Sequence, residues 1–185
     1  MLNEAELIEE CIRHHRKAQY ALYERYASTM LGVCCRYSKN REEAEDLMQE
    51  GFLKVFDKIA TFRGQGSLEG WIRRIMINHA LNYLKARKMN FIEEDPQRWS
   101  EHLPDNSEPD GPEELYAPDV MLKAVQSLPD GYRVVFNLYV FEGFSHKEIA
   151  DSLSISENTS KSQLSRARRF LRKSLAGNVK DQKGR

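Results

Sequence analysis

The sequence has few cysteines and no long apolar run. Its 185 residues include three cysteines, Cys11, Cys34 and Cys35, without the Cys-x-x-Cys spacing of paired zinc ligands. This pattern indicates neither a disulfide framework nor a zinc site, and it favours a reducing compartment. No apolar run approaches the roughly 18 residues of a membrane-spanning helix. A signal peptide begins with basic residues that are followed by an apolar stretch, whereas the first ten residues here are acidic. We therefore expect no signal peptide and a cytoplasmic protein.

The motifs of common catalytic and metal sites are also missing. There are ten glycines, but no phosphate-binding glycine loop with its lysine, no nucleophile elbow and no His-Glu-x-x-His stretch. His14 and His15 are adjacent, so on a helix they point in different directions and form a poor metal pair. His79, His102 and His146 are isolated, and we expect surface or capping roles for them. The sequence therefore predicts no enzyme site, no cofactor and no metal.

The net charge is zero, because 28 basic residues balance 28 acidic ones, yet the charge is unevenly distributed. Residues 1–92 carry a net charge of +3, residues 93–120 carry −9 and residues 121–185 carry +6. The middle block also contains five of the six prolines. An acidic, proline-rich stretch cannot bury enough apolar surface to fold alone. We therefore predict a flexible acidic linker at 93–117, the alternative being an ordered loop packed on one domain.

The blocks on either side of the linker have helical periodicity and no convincing strand, which predicts an all-α protein of two small domains. The first domain spans residues 1–92, the second spans 118–177, and a polar, frayed tail follows at 178–185. Helices are predicted over about 3–14, 17–38, 41–60, 67–89, 118–127, 129–141, 146–152 and 156–175. In the second helix, the residues at helical spacing are Tyr20, Tyr23, Ala27, Met30, Leu31 and Cys34.

The predicted helix at 41–60 has two contrasting faces. Its apolar face contains Ala44, Leu47, Met48, Gly51, Phe52, Val55, Phe56 and Ile59. The opposite face is an acidic strip with Leu53 at its centre, formed with Glu42, Glu43, Asp46, Gln49, Glu50 and Asp57. This strip fits a docking face for a basic partner, with the leucine as an apolar anchor. A solvated face with one scattered leucine is the alternative.

A basic segment with interleaved aromatic residues covers residues 71–92, and a loop with two glycines precedes it at 62–67. Such a loop can present backbone amides and an arginine to a single-stranded base or phosphate. Asn78 and Asn82 are four residues apart and share a helix face, from which they could hydrogen-bond base edges. A solvated basic face is the alternative, and Trp71 is expected in the core rather than as a stacking platform.

The strongest local pattern is at residues 145–173. Ser145 and Glu148 form a predicted capping box, a short helix ends at Leu153, and Ser156 caps a second helix after a short turn, as in a helix-turn-helix. Six basic residues and no acid occur between Lys161 and Lys173. Arginine can read guanine bidentately, while lysine contacts phosphates. A helical hairpin with a charged outer face is the alternative.

Three motifs in the same order resemble the extracytoplasmic-function (ECF) group of the sigma-70 family of bacterial RNA polymerase sigma factors. AEDLMQEGFLKVF at 44–56 is similar to the family's stretch that binds the clamp helices of the largest polymerase subunit. FRGQGSLEGWIRRIMINHALNYLKARK at 62–88 is similar to the segment that recognises and melts the −10 element. The stretch from 128 to 173 is similar to the domain that reads the −35 element.

The resemblance implies a set of site residues. Those implied for polymerase binding are Asp46, Gln49, Glu50 and Leu53. Those implied for the −10 element are Arg63, Gly64, Gln65, Gly66, Ser67 and Leu68 in the loop, then Arg73, Arg74, Asn78, Asn82 and Lys85. Those implied for the −35 element are Asn158, Lys161, Ser162, Ser165, Arg166, Arg169 and Lys173.

The resemblance also implies partners. The first is core RNA polymerase, contacted at its clamp helices and its flap. The second is promoter DNA, which is duplex at the −35 element and single-stranded at the −10 element. The third is an anti-sigma factor. One departure concerns the recognition helix, where many relatives have Thr-Val-Arg-Ser-Arg and this chain has Thr159-Ser-Lys-Ser-Gln163. Lysine lacks the fork geometry of arginine, which bears on the −35 bases. A stand-alone helix-turn-helix regulator is the alternative function.

Overall fold

The computed structural model describes residues 3–87 and 117–182, and within these ranges the chain is helical, with no strand. It divides into two compact units, Met1–Lys88 and Met89–Arg185. The predicted all-α fold is thus confirmed. The predicted linker at 93–117 lies outside the described residues except for its last position, and so do His102 and the last three residues of the tail.

The first unit contains four α-helices, and three of them begin at a side-chain cap. These are α1 (Glu4–Ile12), α2 (Arg16–Tyr37), α3 (Arg41–Lys58) and α4 (Leu68–Ala86), with a 3₁₀ turn at Ile59–Thr61 after α3. Asn3, Asn40 and Ser67 accept hydrogen bonds from the first-turn amides of α1, α3 and α4. Because a cap side chain satisfies an otherwise unpaired N–H, each of these helices starts at a defined residue.

The core of the first unit forms where α2 packs against α1, α3 and α4. The predicted apolar face of α3 is buried, apart from a partly exposed Phe56. The stripe predicted for α2 is partly wrong, since Tyr20 is 62% exposed whereas Leu22 and Tyr26 are buried. α2 has neighbours on several sides, so its buried surface is wider than one periodic stripe and is centred elsewhere on the helix.

The second unit is built around its last helix. It comprises α5 (Pro118–Gln126), α6 (Asp130–Val140), α7 (His146–Leu153) and α8 (Glu157–Gln182), and α8 contacts the other three. Pro129 is the N-cap of α6 rather than its first residue. α8 continues past the predicted end near Leu175, because Gly177 lowers helix propensity without providing a stop.

One buried arginine joins α5 to α6. Arg133 has no exposed surface, and its guanidinium donates to the carbonyl oxygens of Gln126 at 3.0 Å and Leu128 at 3.1 Å. It also pairs with Asp130 at 2.7 Å. These carbonyls belong to the end of α5 and the turn that follows, where helical partners are missing. Arg133 therefore stabilises the connection between α5 and α6.

Candidate functional site

The outer face of α3 presents the four residues predicted for polymerase binding. Asp46, Gln49, Glu50 and Leu53 are all exposed, and Leu53 is 65% exposed. The structure therefore places an apolar side chain among carboxylates on one accessible surface. This arrangement suits a basic partner with an apolar pocket, since a buried anchor supplies binding energy and the surrounding charges supply specificity.

Glu43 belongs to the same acidic strip by periodicity but has a different role. Its carboxylate accepts hydrogen bonds from the Tyr83 hydroxyl at 3.1 Å and the Lys39 backbone N–H at 2.6 Å, and it forms an ion pair with Arg87. The side chain is only 12% exposed. Glu43 thus ties α3 to α4, and it neutralises one of the cations that the sequence counted in the basic segment.

His79 links α4 to the proposed docking face. The ring is buried, contrary to the surface or capping role that was expected, and its Nδ1 lies 2.8 Å from Lys54 Nζ. Its Nε2 lies 3.1 Å from a Glu50 carboxylate oxygen, at ion-pair distance but outside hydrogen-bond alignment. Burial, helped by the Lys54 cation, lowers the pKa of His79, while Glu50 opposes this change. His79 therefore lies between Lys54 and Glu50 and brings α4 into contact with the outer face of α3.

A shallow groove of about 360 Å³ lies between α2 and α3, beside this face. Its walls are formed by Tyr23, Ala27, Ser28, Leu31, Glu45, Met48 and Gln49. Gln49 lines the groove and also belongs to the predicted docking set. Sequence reasoning missed the contribution of α2, because Tyr23 and Leu31 share the periodicity of core residues and only the packing leaves them partly exposed.

The loop before α4 is held from both ends and exposed in the middle. Phe62 packs against Trp71, with ring centroids 5.5 Å apart, and the Ser67 hydroxyl caps α4 by accepting from Gly70 N at 3.1 Å. Gly64 and Gly66 have positive φ angles of 68° and 103°, a conformation that side-chain-bearing residues rarely adopt. Arg63, Gln65 and the two glycines are therefore presented to solvent on a defined turn.

Leu68 corrects the prediction for this loop. It is the first residue of α4 and is fully buried, so its side chain belongs to the core and is not available to a base. Further along α4, Arg74, Asn78, Asn82 and Lys85 are exposed and recur at helical spacing, whereas Arg73 is partly exposed. The predicted −10 residues, without Leu68, thus form a loop followed by one strip of helix.

The helix-turn-helix is formed by α7 and α8, as predicted. The Ser145–Glu148 capping box opens α7, and Ser154, with a φ of 58°, turns the chain into a three-residue connection. Ile149, Ala150 and Leu153 are buried with Leu164 and Ala167 of α8. The predicted −35 residues all lie on the outer side of α8: Asn158, Lys161, Ser165, Arg169 and Lys173 are exposed, and Ser162 and Arg166 are partly exposed.

The inner side of α8 contains polar groups that sequence reasoning did not anticipate. Ser160 and Gln163 are fully buried, and the Ser160 hydroxyl is 2.9 Å from His146 Nδ1. The His146 ring also stacks on Tyr139, with centroids 4.7 Å apart. His146 therefore joins the three helices α6, α7 and α8 and is not a cap. Gln163 has no hydrogen-bond partner for either amide atom among the described residues.

Comparison with known families agrees with this division of the chain. The sigma-70 region 2 model matches residues 22–89, and the sigma-70 region 4 model matches residues 119–171. The RNA polymerase sigma-H factor of Pseudomonas aeruginosa is 30% identical over 92% of this chain and 92% of its own length. The chain belongs to the ECF group of the sigma-70 family. The ECF sigma-E factor of Haemophilus influenzae is similar to this sigma factor at 28% identity, over 92% of this chain and 94% of that one.

A solved structure supports the fold of this sigma factor. The sigma factor RpoE of Bartonella quintana, in complex with the anti-sigma factor NepR, aligns with a TM-score of 0.51 at 23% identity. The alignment covers 85% of this chain and 96% of that chain. In this sigma factor, no helix within residues 3–87 and 117–182 combines the length and apolarity needed to cross a membrane. The same ranges contain no cluster of His, Cys, Asp or Glu side chains positioned to hold a metal ion.

Proposed function

We propose that this sigma factor is a promoter-specificity subunit that docks on core RNA polymerase and directs initiation from −10 and −35 elements. The observation that carries the proposal is that the two family regions fold as separate units, each with an outward face of suited chemistry. The first unit presents carboxylates around an exposed leucine, and the second presents cations on a recognition helix.

Docking is assigned to Asp46, Gln49, Glu50 and Leu53 on α3. Leucine would enter an apolar pocket on the clamp helices of the largest subunit, and the carboxylates would meet basic side chains around it. The charges accelerate association and set orientation, while the apolar contact slows dissociation. Glu50 also lies 3.1 Å from His79 Nε2, so this part of the face is in contact with α4.

Promoter reading is divided between the two units. The exposed loop residues Arg63, Gly64, Gln65, Gly66 and Ser67 would receive an unpaired −10 base, and the exposed strip of α4 would contact the strand upstream. Extruding a base costs a few kcal/mol, which pocket contacts and stacking offset. The outer face of α8 would enter the major groove at −35. The residues assigned to that contact are Asn158, Lys161, Ser162, Ser165, Arg166, Arg169 and Lys173.

The remaining partners and the compartment follow from this role. The second unit would also contact the polymerase flap, and an anti-sigma factor would occupy surfaces needed for polymerase. The protein would act in the cytoplasm, where polymerase and promoter DNA are found, and it would contribute specificity rather than catalysis. Two weak contacts made by the two units together give a higher affinity, because the second contact becomes effectively intramolecular once the first is made.

Reconstitution tests the proposal directly. The purified chain and core polymerase should co-purify and initiate transcription at a promoter that contains both elements. Replacement of Asp46 by lysine together with Leu53 by serine should abolish co-purification while leaving the helical content unchanged. Glu50 is not used for charge reversal, since a lysine beside Lys54 and His79 would perturb the fold as well as the face.

A matched control uses an acid away from α3. Glu9 on α1 is 71% exposed, so its replacement by lysine introduces the same charge reversal without touching the docking face. This variant should bind polymerase like the unmodified chain. Failure of the unmodified chain to co-purify with core polymerase would exclude the proposed function. If the Glu9 variant lost polymerase binding to the same extent as the Asp46 and Leu53 double variant, binding would depend on total charge and not on the docking face.

A further inference from the structure

One cation lies on α3 beside the residues proposed to bind polymerase. From Glu42 to Asp57 the sequence has six carboxylates and a single cation, Lys54. Lys54 directly follows Leu53 and comes four residues after Glu50, the spacing at which a lysine pairs with a glutamate on the same helix. Such a pair would neutralise one carboxylate of a face that is proposed to attract a basic partner.

The ammonium group of Lys54 is bound elsewhere. Its Nζ lies 2.8 Å from Nδ1 of His79 on α4, and within the described residues no ion pair joins it to a carboxylate. The ring of His79 is buried, and Lys54 itself is only partly exposed. The charge of Lys54 is therefore held against α4 and is not paired with a docking carboxylate.

This contact determines the tautomer of the histidine. An ammonium group can only donate hydrogen bonds, so Nδ1 accepts and has no proton of its own. The ring proton is then on Nε2, which lies 3.1 Å from a carboxylate oxygen of Glu50. Among the described residues, the charged groups that act on the pKa of His79 are Lys54, which lowers it together with burial, and Glu50, which raises it. Both groups belong to α3.

We infer that His79 is a positioning residue that keeps the docking face acidic by binding the ammonium group of Lys54 and holding it away from Glu50. The ring accepts from Lys54 only while Nδ1 has no proton. Protonation replaces this acceptor by a donor and brings two cations together, so the lysine leaves. The freed lysine then pairs with Glu50, and the charged ring beside Glu50 adds to the neutralisation. The field that attracts a basic partner weakens, and association with polymerase becomes slower in acid.

The inference rests on the proposed function, and its test measures the association rate of the full chain with core polymerase. The rate is compared between about pH 7.5 and about pH 5, a range that spans the ordinary pKa of histidine. For the unmodified chain it should fall about 2- to 5-fold towards acid, as for the loss of one exposed charge interaction. His79→Asn keeps an acceptor for Lys54 in its Oδ1 but does not titrate. Its profile should show only the titration of polymerase, which is common to all variants.

A double variant separates positioning from a general role in the fold. His79→Leu removes the acceptor and should associate slowly at every pH. Addition of Lys54→Gln should restore the rate, because no ammonium remains to pair with Glu50. Lys58→Gln is the matched control, since it removes the same charge from the same exposed side of the chain but lies outside the contact. Added to His79→Leu, it should not restore the rate.

NMR titration of the free chain gives a readout that does not depend on polymerase. Lys54→Gln should raise the pKa of His79, whereas Lys58→Gln should leave it unchanged. If His79→Leu fails to fold, this titration and the comparison with His79→Asn still decide the inference. Identical pH profiles for the unmodified chain and His79→Asn, or equal restoration by Lys54→Gln and Lys58→Gln, would overturn it. Failure of the unmodified chain to bind polymerase at any pH would instead overturn the proposed function.

Discussion

At the scale of single residues, Gln163 is a buried polar side chain with both amide atoms unpaired among the described residues. A buried polar group without a hydrogen bond costs about 1–3 kcal/mol, because its contact with water is lost and not replaced. The family resemblance implies arginine at this position, so Gln163 is a departure from that pattern. α8 therefore tolerates a buried unpaired amide close to the surface proposed to contact DNA.

Replacement of Gln163 by methionine should stabilise the second unit by about 1–3 kcal/mol, since it removes the unpaired amide at similar volume. Hydrogen exchange of the α8 amides in the full chain measures this change. Alanine at the same position should not stabilise, because it leaves a cavity. A methionine variant with faster α8 exchange than the unmodified chain would show that the amide is satisfied in solution.

His146 should make the second unit sensitive to acid. Burial lowers its pKa, the cations Lys161 and Arg168 act in the same direction, and Glu157 opposes them. The unfolded chain, with an ordinary His pKa near 6.5, therefore takes up the proton first as pH falls. The contribution of His146 to stability is complete above about pH 6.5 and decreases below it.

This pH dependence can be measured residue by residue. Exchange protection of α6–α8 amides in the full chain should fall between pH 7.5 and pH 5.5 (roughly one unit either side of the ordinary His pKa). In His146→Asn, which keeps an acceptor near Ser160, the fall should be smaller. His79 belongs to the other unit, so its own lowered pKa affects α1–α4 amides instead. Equal pH dependence in the variant would rule out His146 as the cause.

At the scale of elements, the packing of α3 on α4 depends on a glycine. A Cβ atom at Gly51 would lie 2.2 Å from Met76 Sδ, and Met76 is itself buried. The small residue allows α3 and α4 to approach closely, with His79 beside the same contact. The packing of α3, which carries the proposed docking face, on α4, which carries proposed −10 residues, therefore depends in part on Gly51.

Gly51→Ala should destabilise the first unit by about 1–3 kcal/mol through overpacking. Gly32 in α2 provides a matched control, because nothing lies within 4 Å of the Cβ that alanine would add there. Gly32→Ala should be neutral or stabilising by about 0.5–1 kcal/mol, through backbone entropy alone. Thermal unfolding followed by site-resolved NMR of the first unit compares the two variants. Similar melting temperatures would show that Met76 yields without cost.

At the scale of the whole molecule, the charge distribution predicts that the free protein has a lowered affinity for DNA. The two domains predicted from sequence carry net positive charge, and the linker predicted between them at 93–117 carries −8, from nine acids and one arginine. We expect the acidic linker predicted at 93–117 to compete with DNA for the basic faces in the free protein. Polymerase, by holding the units apart, would remove that competition.

Replacing the acids of 93–117 by serine should tighten low-salt binding of the free chain to duplex DNA. The salt dependence should steepen, because cations freed from the linker become available to phosphates. Titration of a labelled −35 duplex at several salt concentrations measures both effects. At about 1 M salt the two proteins should converge, since the Debye length is then about 3 Å. Equal affinity at low salt would rule out self-competition.

Much of this architecture was determined by the sequence alone. Apolar spacing, caps such as Ser67 and the Ser145–Glu148 box, and the block of cations after Lys161 predict the helices, the helix-turn-helix and its DNA-facing side. These features are local, because a cap or a periodic stripe acts within a few turns of its own helix. The order of the motifs carried the family resemblance that the comparisons confirmed.

Tertiary packing determined which residues of each sequence pattern remain exposed to a binding partner. Glu43 and Asp46 lie in one acidic strip. Arg87 and Tyr83 bind the carboxylate of Glu43, whereas Asp46 remains exposed. Leu68, a predicted −10 contact, and His79, next to another, are both buried. Gln163 is buried on the inner side of α8, and neither of its amide atoms has a partner among the described residues. Periodicity assigns a residue to a face of its own helix, but the neighbours of that face come from residues distant in sequence. Availability for polymerase or DNA therefore depended on the packed structure.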